Sequence, residues 1–343
     1  MFPEEFIQRI SAQDYIVPAN LLKALEEPSP VSLRVNRAKW SKLPLNSEPV
    51  PWCSSGYYLP YRPVYTLDPL FHSGCYYPQE ASSMFLEKVF RSVDGFGENL
   101  RVLDLCGSPG GKSTHISGLI GPSGLLISNE VIRSRASVLA ETLTKWGSGN
   151  VMVTQNDPSV LGRLTGYFDL ILVDAPCSGE GMFRSSTAVS EWSVENTGHC
   201  SVRQKRILME IWPALKEDGI LVYSTCTFNP GENEENIKWL LSRNMAECLR
   251  IDVNEYPGVC EMDHNGIFGY GFYPDKVKGE GFFISVVRKT SAESTRHFKS
   301  QRMADFKPGK ADQAIASLWT DFPSERILKS GSQGVDKGDG GCD

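Results

Sequence analysis

The sequence contains no Cys-x-x-Cys spacing, no apolar run near transmembrane length, and no basic segment followed by an apolar one at its start. Each absence excludes a class. With no cysteine pair at ligand spacing, and with His199-Cys200 as the single His/Cys neighbour pair, no metal centre is predicted. Apolar pieces such as Leu170-Ile-Leu-Val are far shorter than the roughly 20 residues a membrane helix needs. The opening Met1-Phe-Pro-Glu-Glu-Phe does not read as a signal peptide. An odd count of nine cysteines in such a chain predicts free thiols, with Cys53, Cys75, Cys248 and Cys260 as small buried hydrophobes. A soluble, cytoplasmic protein is expected, with monomer as the default. Excess positive charge is lacking too. Lys and Arg number 35 against 41 Asp and Glu, a net charge of −6, which argues against holding nucleic acid by bulk charge alone.

What is present is a glycine-rich turn between a strand and a helix. Arg101-Val-Leu leads into Asp104-Leu-Cys-Gly-Ser-Pro-Gly-Gly-Lys-Ser, and His115-Ile-Ser-Gly-Leu-Ile reads as the first turns of a helix. Glycine removes the Cβ that would hold a ligand away from the backbone, and a helix start presents unpaired N–H groups. The pattern indicates a nucleotide-like ligand and leaves two open. A Walker A loop would make the protein an NTPase, with Leu170-Ile-Leu-Val-Asp174 as its Walker B strand, but Cys106 stands where that loop needs glycine. A methyl donor such as S-adenosyl-L-methionine is the other.

From Arg101 onward strands and helices alternate, which predicts an α/β fold with a mostly parallel sheet and helices on both faces. Strands are expected at 125–130, 151–155, 168–174, 219–225 and 281–287, and helices at 79–90 and 133–146. Ligands in such sheets sit at the carboxyl ends of the strands. Those ends are polar here: Asp104 in the first turn, Glu130 after the second strand, Asn156-Asp157 after the third, Asp174 after the fourth. Glu130 has the spacing of a ribose-binding carboxylate, and Asp157 could accept from an adenine amino group; an N-cap or turn role is the alternative for each. The fourth and fifth strands end in Asp174-Ala-Pro-Cys177-Ser-Gly-Glu-Gly and Tyr223-Ser-Thr-Cys226-Thr, two thiols facing one crevice. Thiols at such positions are candidates for nucleophilic work. Carbon 5 of a pyrimidine is barely nucleophilic until a thiolate adds to carbon 6, and that chemistry joins a nucleophilic cysteine to a sulfonium methyl donor.

On these motifs, with Asn229-Pro-Gly-Glu-Asn-Glu, Ser32-Leu-Arg-Val-Asn and Tyr77-Pro-Gln-Glu-Ala-Ser-Ser, the chain resembles the Sun-domain family of RNA cytosine-C5 methyltransferases over roughly residues 1–290. The resemblance implies a seven-stranded Rossmann-like methyltransferase domain that binds S-adenosyl-L-methionine, with a small α+β N-terminal domain. It implies Cys226 as nucleophile, Cys177 as the thiol that helps release product, and Asp174 as a hydrogen-bond partner of the target base. Cofactor contacts would come from Cys106, Gly107, Ser108, Pro109, Gly110, Gly111 and Lys112, with Glu130, Asp157 and Asp174. Lys112 would meet the donor's carboxylate or the substrate. Arg135 is a weaker candidate that a solvated helix position also explains. Ribosomal RNA is the implied substrate. Transfer RNA, the NTPase reading and a non-catalytic RNA-binding assembly factor are the alternatives.

The expected domains are 1–78, lining the RNA; 79–290, catalytic; and 291–343, a basic linker, a partial helical segment at 311–330 and a glycine-rich disordered tail from 331. Relatives carry a further C-terminal RNA-binding domain, which the sequence is expected to lack or hold only in part. Short amphipathic helices are expected around Phe6 and Ile10 and around Leu21, Leu22 and Leu25. In the strand Val31-Ser-Leu-Arg-Val-Asn-Arg the outer face would carry Ser32, Arg34 and Asn36, and Arg34 and Asn36 are the RNA-contact candidates. Phe183 and Tyr270 could stack on an unstacked cytosine, the alternative being core.

Overall fold

The computed structural model describes residues 2–42, 44, 46–93, 99–243, 246–291, 327–330 and 333–336. Two short helices, α1 (Glu4–Ser11) and α2 (Pro18–Glu26), open the chain. Phe6 and Ile10 are buried on α1, and Leu21, Ala24 and Leu25 on α2. A small antiparallel sheet follows, formed by β1 (Val31–Val35), β2 (Glu48–Pro49), β3 (Gly56–Leu59) and β4 (Tyr76–Pro78) in the order β2-β3-β1-β4, with α3 (Pro69–His72) between β3 and β4.

The expected helix from Gln79 starts later. Glu80 accepts the backbone N–H groups of Ser82 and Ser83, a 3₁₀ turn covers Ser82–Phe85, and α4 runs Leu86–Ser92. Then come β5 (Arg101–Asp104), α5 (Gly111–Leu119), β6 (Leu125–Asn129), α6 (Arg133–Trp146), β7 (Val151–Thr154), α7 (Pro158–Leu161), β8 (Phe168–Asp174), α8 (Ser186–Glu191), α9 (Val194–Ile211), β9 (Leu215–Thr225), α10 (Glu234–Arg243), β10 (Ala246–Cys248), β11 (Cys260–Asp263), β12 (Phe268–Phe272) and β13 (Phe282–Lys289).

These strands form one nine-stranded sheet, β11-β12-β13-β9-β8-β5-β6-β7, with β10 pairing the C-terminal end of β13 on the edge it shares with β12. Pairing from β7 across to β9 is parallel, and β13 is antiparallel to β9. Alternate residues feed two cores, as a sheet covered on both faces requires. Val102, Leu126, Leu170, Leu172 and Val222 pack with Met84, Phe85, Val89 and Ile116 on one face. Leu103, Ile127, Ile171, Val173 and Leu221 pack with Ile207, Leu208, Ile211 and Leu240 on the other.

The α/β class and its parallel core match the sequence reading; nine strands replace the expected seven. The additional hairpin β11–β12 was hidden by Gly269 and Gly271 in a short strand. A Cβ on Gly269 would come 2.5 Å from the Phe283 ring, and one on Gly271 would come 2.7 Å from Tyr273, so rings occupy the space where side chains would have signalled a strand. Likewise β9 begins at Leu215, because Asp218 at φ +60° and a register shift opposite Phe168–Leu170 carry the pairing past Gly219.

Arg34 and Asn36 do not present an outer face. They are 2 % and 6 % exposed. Arg34 donates to Gln79 Oε1 at 2.9 Å, to the Gly111 carbonyl at 3.1 Å and to Thr114, and stacks on Trp146 at 4.5 Å. Asn36 Nδ2 donates to the Gly74 and Trp146 carbonyls at 3.1 and 3.0 Å. A guanidinium is buried only where its donors are met, and here they fasten the small sheet onto α5 and α6. The expected RNA contact of these two side chains is thus corrected to a packing role. Phe183 and Tyr270, 2 % and 0 % exposed, are core residues; Phe183 meets Phe6 edge-on and the Tyr270 hydroxyl accepts from Ile251 N. Near the C-terminus, Ile327–Ser330 (β14) and Gln333–Asp336 (β15) pair antiparallel, so the expected helical segment ends in a strand and part of the expected disordered tail is a strand. Residues 292–326, which hold most of the expected basic linker, lie outside the described residues. Among the described residues no helix is long and apolar enough to cross a membrane.

Candidate active site

The turn after β5 delivers α5 with Gly110 at its N-cap, in the left-handed region at φ +112° and with no side-chain cap. A Cβ there would sit 2.6 Å from Thr142, and one on Gly107 would sit 2.4 Å from Ser128 Oγ. The turn therefore lies against β6 and α6, leaving the first N–H groups of α5 for a ligand. Beneath it Asp104 is fully buried, takes the Ser113 hydroxyl at 2.6 Å on Oδ2, and leaves Oδ1 unpartnered. Burial raises its carboxyl to about 7. Cys106 is pushed up by burial and by the carboxylates of Asp104, Asp174 and Glu130, so it is a neutral wall of the turn.

Glu130 ends β6 and is 3 % exposed; Oε1 accepts Ile132 N at 3.0 Å, and Arg135 approaches Oε2 at 3.4 Å. Arg135 and Ser108 exchange hydrogen bonds, Arg135 to the Ser108 carbonyl at 3.2 Å and the Ser108 hydroxyl to the Arg135 carbonyl at 3.0 Å. The two thus join the glycine-rich turn to the start of α6. Asp157 has a different occupation. It caps α7 through Ser159 N at 3.1 Å and pairs with Arg206 at 2.7 Å, both side chains open to solvent.

At the ends of β8 and β9 the two thiols meet. Cys177 Sγ and Cys226 Sγ stand 3.2 Å apart, both free, and Cys226 N donates to Cys177 Sγ at 3.3 Å. Its bond to Cys226, then burial, holds the Cys177 thiol well above the ordinary range. Asp174 accepts Lys112 Nζ at 2.8 Å on one oxygen and the Ser224 hydroxyl at 2.7 Å on the other. Burial opposes the charge of Lys112, but Asp174, Cys226 and Asp104 outweigh it and raise its pKa. The lysine is thereby shared between the cofactor turn and the thiol crevice.

Several residues here were not singled out from the sequence. Glu232, Ser178 and Ser224 carry no periodic or spacing signal of their own. Glu180, in the same loop as Cys177, is 0 % exposed and pairs with Arg9 of α1 while accepting Trp192 Nε1 at 3.0 Å. Elsewhere Cys53, Glu87 and His115 converge, His115 Nε2 lying 3.2 Å from Glu87 and 3.7 Å from Cys53. Glu87 also accepts Ser54 N at 3.2 Å, and the cluster ties the small sheet to α4 and α5.

Residues 96–288 match the family described as 16S rRNA methyltransferase RsmB/F, and residues 2–81 match the N-terminal domain of 16S rRNA methyltransferase RsmF. Ribosomal RNA small subunit methyltransferase F of Enterobacter sp. is 35 % identical over 316 residues, covering 84 % of this chain and 64 % of that protein. The protein of the same name from Pectobacterium atrosepticum is 33 % identical over 313 residues, covering 84 % and 63 %. The chain thus spans a little under two thirds of the length of these curated relatives. Among solved structures, a methyltransferase homolog protein from Pyrococcus horikoshii superposes with a TM-score of 0.70 at 29 % identity, covering 84 % of this chain and 95 % of that one. NSun6 from Pyrococcus horikoshii with SFG shares the fold, with a TM-score of 0.69 at 20 % identity over 84 % of this chain and 99 % of that one. The chain belongs to the RsmB/F family of 16S rRNA methyltransferases.

Proposed function

We propose that the protein methylates carbon 5 of a cytosine in ribosomal RNA, with S-adenosyl-L-methionine as donor and Cys226 as nucleophile. The observation that carries this reading is the meeting of Cys177 and Cys226, 3.2 Å apart at the ends of adjacent parallel strands, beside a glycine turn and an uncapped helix start. The names of the curated relatives support ribosomal RNA as substrate, over transfer RNA.

The residues around the turn fit the donor. Gly107 and Gly110 leave backbone bare where a Cβ would collide with Ser128 or Thr142, the start of α5 can take a carboxylate, and Glu130 at the end of β6 can take ribose hydroxyls. Cys106 to Lys112, Glu130, Arg135, Asp157 and Asp174 would hold it. When bound, the donor supplies an electrophilic methyl group on a sulfonium.

Cys226, as a thiolate, adds to carbon 6 of the ring and makes carbon 5 nucleophilic. Lys112, held by Asp174, stands among the groups that face Cys226. Asp174, fixed by Lys112 and Ser224, is placed to hydrogen-bond the base. After methyl transfer a general base takes the carbon-5 proton, the carbon 5–carbon 6 double bond re-forms and the Cys226 thiolate is expelled. Cys177, whose thiol stays protonated, is positioned to support the departing sulfur. The target cytosine must be unstacked to reach the crevice. In an NTPase Lys112 would face phosphates; its commitment to Asp174 favours the thiol chemistry instead.

Transfer of label from S-adenosyl-L-methionine to ribosomal RNA or small subunits, followed by nucleoside analysis, tests the reading. Label in 5-methylcytosine that is lost in Cys226→Ala is the expected result. Label in another nucleoside, or full activity of that variant, would overturn it.

A further inference from the structure

Glu232, seven residues beyond the end of β9, is a carboxylate with no solvent exposure. Its oxygens accept four hydrogen bonds. Oε2 takes the backbone N–H of Ser178 at 2.9 Å and Gln204 Nε2 at 2.9 Å; Oε1 takes the Ser178 hydroxyl at 2.5 Å and Asn229 Nδ2 at 3.2 Å. Ser178 is the residue after Cys177, and Asn229 lies three residues after Cys226. One side chain therefore grips both cysteine loops. Gln204 of α9 extends the grip, since its Nε2 also donates to the Pro176 carbonyl at 3.0 Å. Glu232 is itself held, because the Tyr223 hydroxyl donates to its carbonyl at 2.6 Å.

A buried carboxylate is tolerated only where donors replace its water, and hydrogen bonds to a charged group are the stronger kind. Four donors on a fully buried group make an anchor whose position is over-determined. Among the described residues the loops it joins are otherwise tied by Ser178 Oγ to Thr227 Oγ1 at 2.9 Å, Gly181 N to the Cys226 carbonyl at 2.9 Å and Cys226 N to Cys177 Sγ at 3.3 Å, each a single bond. We infer that Glu232 is the positioning residue that holds the Cys177 and Cys226 loops in register and so sets the contact between the two thiols. The inference rests on the proposed function only in reading those thiols as the reacting pair.

Replacement shows what the anchor carries. In Glu232→Gln one oxygen becomes an NH₂ group. At the Oε2 position it would face the Ser178 N–H, which cannot turn; at Oε1 the Ser178 hydroxyl can rotate and accept. That variant keeps part of the grip. Glu232→Ala removes all of it and takes the acceptor from the Ser178 N–H, while Gln204 keeps its bond to the Pro176 carbonyl and the Ser178 hydroxyl its bond to Thr227.

Thiol proximity can be read without RNA. Diamide is a two-electron oxidant. One thiolate adds to its N=N bond, the second attacks that sulfur and expels the reduced hydrazine, and the disulfide forms as two protons and two electrons pass to the reagent. The second step requires the two sulfurs to be adjacent. With one equivalent of diamide and peptide mapping, the wild type should form the Cys177–Cys226 disulfide rapidly. Loss of a buried anchor is expected to slow it about tenfold in Glu232→Ala and less in Glu232→Gln, with thermal melts confirming that each variant is folded. If Glu232→Ala does not fold, Glu232→Gln and Ser178→Ala, which removes one of the four bonds, give the same comparison. Wild-type disulfide rates in the folded variants would overturn the inference. Slowed disulfide formation in an enzyme that methylates no RNA would leave the anchor standing and remove the proposed function instead.

Discussion

Gly181 lies directly against Cys226. Its N–H donates to the Cys226 carbonyl at 2.9 Å, and a Cβ on it would come 2.8 Å from that oxygen and 2.4 Å from the Gly281 carbonyl. Both obstacles are backbone, so neither can swing aside. Gly181→Ala should displace the Cys226 loop, lower the melting temperature by several degrees, a cost of about 1–3 kcal/mol, and reduce methyl transfer more than donor binding. Calorimetry of donor binding beside turnover measures the two effects.

Lys112 joins cofactor turn and thiol crevice through its 2.8 Å contact with Asp174, and it also lies 5.2 Å from the Phe282 ring. The pair is partly open to solvent, so its loss should change stability by less than about 1 kcal/mol. Placed beside the reacting groups, the charge is worth more there. Lys112→Met should lower turnover by a factor of about 10²–10³ with little change in the unfolding midpoint.

Glu180 couples α1 to the Cys177 loop. Burial raises its carboxyl to about 7 from the ordinary 4.5, with Arg9 pulling the other way. Between those pH values the folded protein holds a proton that the unfolded chain has released, so stability falls as pH rises from about 4.5 to 7. Burial raises Asp104 and Glu234 to about 7 too, adding to the slope. Glu180→Gln should flatten part of it, by an amount on the order of 2 kcal/mol across the window, measured as denaturant midpoints at pH 5 and pH 7.5.

The Cys53–Glu87–His115 cluster acts in the opposite sense. Burial and the Arg34 charge lower His115 to about 4, so the unfolded chain takes a proton first and stability is lost as pH falls from 6.5 through 4. Burial opposes ionisation of Glu87, but hydrogen bonds from His115, Ser54 and Cys53 prevail and bring it to about 2. Its contribution is present above pH 4.5 and lost as pH falls through 2. His115→Gln should remove the acid sensitivity between pH 6.5 and 4. Glu87→Ala, which leaves the Ser54 N–H and the buried His115 Nε2 without their acceptor, should cost about 1–3 kcal/mol in urea unfolding at pH 7.

The parallel half of the fold was legible because its signals are local. Strand β8 and helix α6 occupy the expected residues, since apolar runs and a 3.6-residue stripe state themselves over ten positions. The two cysteines and the glycine turn were legible because each closes a strand. Contacts between distant segments were not. Arg34 alternates as an exposed strand residue would, and only the docking of β1 on α5 buries it. Asp157 reads as an adenine ligand or an N-cap, and only the fold shows its cap on α7 and its pair with Arg206, 49 residues on. Glu232 stands in Asn229-Pro-Gly-Glu-Asn-Glu with no role of its own until the fold brings Ser178 and Gln204 to it.

The central claim is that Cys226 attacks the base and that Cys177 serves its release. RNA carrying 5-fluorocytosine tests it most directly, because fluorine at carbon 5 blocks the final elimination and leaves the nucleophile attached. With S-adenosyl-L-methionine present, wild-type protein should form a covalent complex, and Cys226→Ala should form none. Cys177→Ala should form one, and should also accumulate it on unmodified RNA. A complex retained in Cys226→Ala, or one lost in Cys177→Ala alone, would contradict the assignment of the two thiols.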